Sequence, residues 1–232
     1  MSSASAAIII VILILLLFFT HPSQWKYALL AIPAGMIINH CLSKDITGGA
    51  GKHGLKSKSV IYFADYPEFK PNLTPADIFE MGSFGGTYWR PIHSSITGKD
   101  YNNKHLKHSY LKNIDTNKMT RDFANYDINI NKYKVHVGQT LEEWEKKGWI
   151  TKYDPYGWVQ WYCNFYDGRR TPDDERQIKR WIGIAGEKGR FRGWLLSKIK
   201  KKYPGGSGKG YDDYSISPAI RQTLQHWAYI LQ

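Results

Sequence analysis

The chain has 232 residues, with 32 Lys and Arg against 20 Asp and Glu and a formal net charge of +12. That length suits one ordinary domain with additions, and 9 Trp with 16 Tyr exclude the aromatic-poor composition of a disordered chain. The two cysteines, Cys41 and Cys163, lie far apart in apolar and aromatic surroundings, which speaks against a disulfide framework and for a cytosol-facing fold.

The first element is an apolar rod. Residues 4–20, ASAAIIIVILILLLFFT, carry no charge, and Ile8, Val11, Leu15 and Phe19 stand in an unbroken run of large apolar side chains. At about 1.5 Å per residue such a rod reaches roughly 25 Å, enough for a thin bilayer such as that of the endoplasmic reticulum. No Lys or Arg precedes Ile8, and THPSQW is a poor cleavage site, so the pattern predicts a transmembrane anchor over 1–23 in preference to a signal peptide or a core helix. A second apolar run, YALLAIPAGMIINHCL at 27–42 in the segment 24–43, contains Pro33 and Gly35. It either spans, completing a helical hairpin, or lies along the interface. Lys44, Lys52, Lys56 and Lys58 follow these runs and nothing basic precedes them, which assigns the downstream domain to the cytoplasmic side.

A Gly/Lys-rich linker over 44–59 comes next. Its formal G-x-G-x-x-G at Gly49, Gly51 and Gly54 has neither a strand before it nor an amphipathic helix after it, so it lacks the setting of a dinucleotide loop. The remaining residues, 60–232, form a basic soluble domain. Thr74-Pro75, Thr171-Pro172 and Ser217-Pro218 each place a capping hydroxyl before a proline, and Asp77 and Asp174 complete a variant capping box at the first two, so helices are expected to start there. Between them, GSFGGTYWRPI predicts tight turns with positive φ around Phe84, Tyr88, Trp89 and Arg90. This stretch is a core-forming turn or, in the sharper alternative, an exposed contact loop.

From Thr140, TLEEWEKKGWI predicts a short helix with Leu141 and Trp144 inward and Gly148 as its stop. In DPYGWVQWYCNFYDG, Trp158, Trp161, Tyr162 and Phe165 fall at i, i+3, i+4 and i+7, one buried helical stripe. Ile178, Trp181 and Ile182 mark the apolar side of the helix after Thr171; RFRGWLLSKIKKKY supplies another helix, and Ile220, Leu224, Trp227 and Leu231 the last. No run of alternating strands is visible. The expected fold class is mainly α: an N-terminal transmembrane helix or hairpin plus one small aromatic-rich helical domain with little sheet.

The stretches NLTPADIFEMGSFGGTYWRPI, DPYGWVQWYCNFYDGRRTPDDERQIKRW, AGEKGRFRGWLLSKI and ISPAIRQTLQHWAYIL together resemble a family of fungal, algal and chlorovirus-type proteins, over roughly residues 62–231. The resemblance brings no established enzymatic activity, so it implies no catalytic residues. With the anchor, it implies a minor capsid component of a large algal DNA virus, linking the internal virion membrane to the icosahedral shell. The implied partners are the lipid bilayer, major and other minor capsid proteins, and anionic lipid headgroups.

Charge points to a contact surface. Residues 163–203 hold twelve Lys and Arg against five Asp and Glu, and Arg169, Arg170, Lys179, Arg180, Arg190, Arg192, Lys198, Lys200, Lys201 and Lys202 are the candidates for it. Arg169, Arg170, Arg190 and Arg192, interleaved with Tyr166, Phe191 and Trp194, suit a nucleic acid as the alternative partner, although no helix-turn-helix, zinc-finger or RNA-recognition signature is present. An enzyme is the third reading. Asp173, Asp174 and Glu175 point to different helix faces, while His105 and His108, flanked by Lys104 and Lys107, look like surface and lack further ligands. No cofactor, metal site or catalytic residue is expected.

Overall fold

The computed structural model describes residues 61–205 and 208–232. Six helices run through them: α1 (Pro75–Glu80), α2 (Leu141–Lys146), α3 (Trp158–Tyr166), α4 (Asp174–Ile184), α5 (Arg190–Lys202) and α6 (Pro218–His226). The only sheet among the described residues is a hairpin of β1 (Ile92–Ser94) and β2 (Lys99–Tyr101), antiparallel with His93 opposite Asp100. Short 3₁₀ turns fill much of the stretch between β2 and α2.

The mostly helical domain with minor sheet agrees with expectation; the membrane-spanning part of the fold class does not. No helix among the described residues is long and apolar enough to cross a membrane. The expected anchor with Ile8, Val11, Leu15 and Phe19, the second apolar run and the linker all lie outside the described residues. The fold is therefore corrected to a small, mainly helical domain. The membrane-linking capsid role and the virion or endoplasmic reticulum membrane localisation rested on that spanning helix, and neither is retained.

Of the three expected helix starts, capping and position are both as expected only at Thr74-Pro75. Thr74 accepts from the Asp77 amide at 3.1 Å and the Asp77 carboxylate accepts from the Thr74 amide at 2.8 Å, a reciprocal box ahead of Pro75. Thr140 and Glu143 repeat this device at α2. At Thr171-Pro172 the helix begins later, at Asp174, because its carboxylate holds both the Thr171 amide and the Thr171 hydroxyl at 2.9 Å. Ser217 sits at φ 49° and caps nothing, so Pro218 alone sets the start of α6.

The stripe expected on α3 proves too narrow: all residues from Trp158 to Phe165 are buried, so α3 is the central helix and packs against α1 and α4. Phe69 is the hub of the ring cluster, with centroids 5.6 Å from Trp161, 5.7 Å from Tyr162 and Phe165, and 5.2 Å from Trp181. The chain's end is clasped to this core. Asn72 exchanges two hydrogen bonds with the Ile230 backbone, at 2.7 and 2.9 Å, and the amides of Asn72 and Leu73 donate to the Ala228 carbonyl. Helix α6 ends at His226, with Ala228 at φ 55°, so Leu231 leaves the helical stripe predicted for it.

The glycine turn after α1 is a place of close backbone approach. Gly82, Gly85 and Gly86 all take positive φ, and a Cβ on Gly82 would lie 1.8 Å from the Ile130 carbonyl oxygen. The segment between β2 and α2 lies against this turn: Gly82 and Lys132 pair through a backbone hydrogen bond of 3.0 Å, and Asn131 accepts from the Gly85 amide at 2.8 Å.

Candidate functional site

Where α2, α4, α5 and α6 approach the glycine turn, the side chains leave a cavity of about 500 Å³. Its base is the start of α3, Trp158 and Val159, whose backbone is reached through Gly157 at φ 87°. Trp144, Trp149 and Ile150 form one side, Phe84 and Tyr88 another, and Trp227, Ile184 and Phe191 a third. Gly138, Gln139, Gly183 and Arg190 line it and are exposed, as is Trp149 at 38%. A second cavity of about 270 Å³ shares Phe84, Tyr88 and Trp144 with the first and adds Arg90 and Phe123.

Each ring has a reason to be where it is. The Trp181 indole donates to the Trp227 carbonyl at 2.8 Å, which fixes the turn that carries Trp227. Phe84 stacks on His226 with centroids 3.8 Å apart and planes 16° from parallel. His226 Nε2 accepts from the Phe84 amide at 3.2 Å and faces the Gln222 amide nitrogen at 3.0 Å, so its proton resides on Nδ1. Burial, with a smaller contribution from His136, holds the His226 imidazole down at about 3. Ser83, Gln222 and Gln225 tie this corner together. Ser83 donates to the Ile78 carbonyl at 2.6 Å, Gln225 to the same carbonyl at 2.8 Å, and Gln222 accepts from the Tyr133 amide at 3.0 Å.

Of the two arginines that line the cavity, Arg180 is half-buried and Arg190 is exposed. The Arg180 guanidinium lies 5.6 Å from the Trp149 ring centroid and 5.3 Å from that of Trp227. It donates to the Gln177 side chain at 2.9 Å and the Trp149 carbonyl at 3.3 Å, and no carboxylate pairs with it among the described residues. Burial, followed by the nearby charge of Arg176, brings Arg180 down to about 10, against the weaker opposing pull of Asp173. Trp158, 7% exposed, also has an indole N–H without an acceptor among the described residues.

The candidate basic residues do not form one surface. Arg169 is bound to the buried Asp154, and Arg170 donates to Asp65 at 2.6 Å while its guanidinium stands 3.7 Å from the Phe165 centroid. Arg192 covers the Tyr229 ring at 4.9 Å, and Lys202 is held by Asp213 at 2.7 Å. Lys198, Lys200 and Lys201 are exposed on α5. Lys179 is exposed beside Glu175 at 3.4 Å, and only Arg180 and Arg190 of the ten line the cavity.

The candidate contact loop divides in the same way. Trp89 and Tyr88 are core residues at 0% and 4% exposure, whereas Phe84 and Arg90 are half-buried. The core-forming alternative thus describes Trp89, while Phe84 and Tyr88 also line the cavities. Nothing in the sequence marks Trp144, Trp149 and Trp227 as one site. Trp144 and Trp227 occupy ordinary apolar helix positions, and Trp149 sits beyond the stop at Gly148, so their meeting has no local signal.

His105 and His108 are buried at 4% and 2%, which corrects their expected surface position. His108 Nδ1 meets Asp167 at 2.6 Å and its ring packs near Trp89 and Tyr110. Burial outweighs the carboxylate and keeps the imidazole below its usual range, so the contact is a neutral N–H donated to Asp167. Asp173, Asp174 and Glu175 diverge as expected, toward Arg176, Trp161 and Lys179 respectively. Burial pushes the Cys163 thiol far above its ordinary value, which removes it as a nucleophile at neutral pH. Among the described residues no group of three His, Cys, Asp or Glu side chains is placed to hold a metal ion.

Comparison of the chain with protein-family models, with curated proteins and with solved structures gives no match.

Proposed function

We propose that this domain is a non-catalytic binding module whose tryptophan-lined cavity takes a flat, negatively charged ligand. The observation that carries the reading is Arg180, half-buried between Trp149 and Trp227 with no carboxylate in contact, since Asp173, the acid whose charge reaches it, is engaged by Arg176 at 2.5 Å. A guanidinium in such a place has lost hydration without gaining an anion, and a ligand anion supplies the missing partner. The rings beside it offer faces for a planar body and strengthen the cation's hold through their quadrupoles. A volume of about 500 Å³ lies within the ordinary range for small-ligand sites. His226, locked as an acceptor within the wall, shapes the cavity and takes no proton from a ligand at neutral pH.

Isothermal titration calorimetry of the full chain with 1-naphthyl phosphate tests this. Saturable one-to-one binding is expected, and Arg180→Gln should weaken it about tenfold, the loss of one charge-assisted contact. Absence of saturable heat, or equal affinity in Arg180→Gln, overturns the reading.

A further inference from the structure

We infer that the ligand is a single-stranded nucleic acid, with a base inserted among the cavity tryptophans and the adjoining phosphates led across Arg180 and Lys179; this rests on the binding-module reading above. Arg180 belongs to two features at once. It lines the aromatic cavity and also a shallow surface depression formed with Pro172, Glu175, Arg176 and Lys179. Arg176, Lys179 and Arg180 follow i, i+3, i+4 spacing on α4, so the cavity mouth continues onto a basic helical face. Arg190, exposed at the start of α5, adds charge on another side of the mouth.

The adjoining cavity repeats the chemistry. There Arg90 lies 5.0 Å from the Phe123 ring centroid, near Trp144, which both cavities share. Two neighbouring stations, each pairing aromatic faces with a guanidinium, match a strand in which planar bases alternate with phosphates at a fixed repeat. The overall charge of +12 suits a polyanion. A duplex fits poorly, because its bases are stacked inward and reach a concave site only after being pulled from the helix. Glu175 in the depression is engaged by Lys179 at 3.4 Å, and Glu143 in the adjoining cavity is turned back to the Thr140 amide at 2.9 Å, so both oppose phosphate weakly.

Fluorescence anisotropy of the full chain with fluorescein-labelled dT12 tests the inference, beside an abasic phosphodiester of the same length, a dT12·dA12 duplex and an unlabelled polyglutamate competitor. dT12 should bind at least tenfold more tightly than the abasic strand and the duplex, and Trp149→Ala should erase the preference over the abasic strand. The exposed double variant Lys179→Gln/Arg190→Gln should weaken dT12 and lower the slope of log affinity against log salt by about 1.4, two phosphate contacts on a single strand. Equal binding of the abasic strand or duplex, a preference unchanged in Trp149→Ala, or displacement by polyglutamate at matched charge overturns it. If 1-naphthyl phosphate binds and dT12 does not, the nucleic-acid inference fails while the binding module stands; if neither binds, both fail.

Discussion

Trp161 and Trp149 have the same side chain and opposite employment. Trp161 is 0% exposed, ringed by Phe69, Trp158 and Phe165, and its indole N–H donates to Asp174 at 2.8 Å. Trp149 is 38% exposed, lies beside the Arg180 guanidinium and lines a cavity. The arginines show the same contrast: Arg170 stands over Phe165 with Asp65 as its anion, whereas Arg180 lies beside two tryptophans with none. Aromatic density therefore does not separate core from site in this domain. What separates them is whether a ring's polar and charged neighbours are already satisfied within the fold.

The sharpest way to break this contrast is truncation. Trp161→Ala should cost about 3–5 kcal/mol of stability through the cavity it leaves and the orphaned Asp174. Trp149→Ala should cost clearly less, about 1–2 kcal/mol, because over a third of that residue's surface is already in water. Urea unfolding of the full chain reads both, and similar losses in the two variants would dissolve the distinction.

Acid should act next. His226 is held down at about 3 against an unperturbed value near 6.5. Between those values the unfolded chain binds a proton that the folded chain does not, so stability rises with pH across the window and is lost as pH falls through it. From pH 6.5 to 5 this amounts to roughly 2 kcal/mol, with the lowered His105 and His108 adding in the same direction. His226→Gln should flatten the pH dependence of the urea midpoint; an unchanged slope would mean that the imidazole is not buried neutral.

The smallest effect sharpens the arginine comparison. Arg170→Ala should lose at most about 1 kcal/mol, since its ion pair with Asp65 is partly exposed and screened. It should leave 1-naphthyl phosphate affinity unchanged. Arg180→Gln should move stability by less than about 0.5 kcal/mol, having no anion to abandon, while reducing affinity. Parallel behaviour of the two variants in both assays would remove the reason for treating Arg180 as the ligand's partner.

Much of the helical framework was legible residue by residue. Thr74, Pro75 and Asp77 start α1 as their chemistry requires, Gly148 at φ 67° follows α2, and the glycines flanking Phe84 take the positive φ that their clustering suggested. The histidines were misplaced because flanking lysines suggested solvent, whereas Lys107 reaches out to Asn164 at 2.9 Å while His108 turns inward to Asp167. Nearness in sequence groups the ten basic candidates, but among the described residues the fold gives a carboxylate to Arg169, Arg170, Lys179 and Lys202 alone of the ten. Trp149 carries no sequence signal for the cavity, since beside the local Lys147 its charged neighbour Arg180 comes from α4.

Within this protein, sequence by itself determined starts such as those of α1 and α2, because caps, prolines and positive-φ glycines act through contacts a few residues long. Only tertiary structure decided which tryptophans became core and that Arg180 lies among cavity rings without a carboxylate in contact. Asp65 satisfies Arg170 across 105 positions and Asn72 clasps Ile230 across 158. Pairings of that span depend on how whole elements pack, and the surfaces they leave unsatisfied are where a ligand finds its hold.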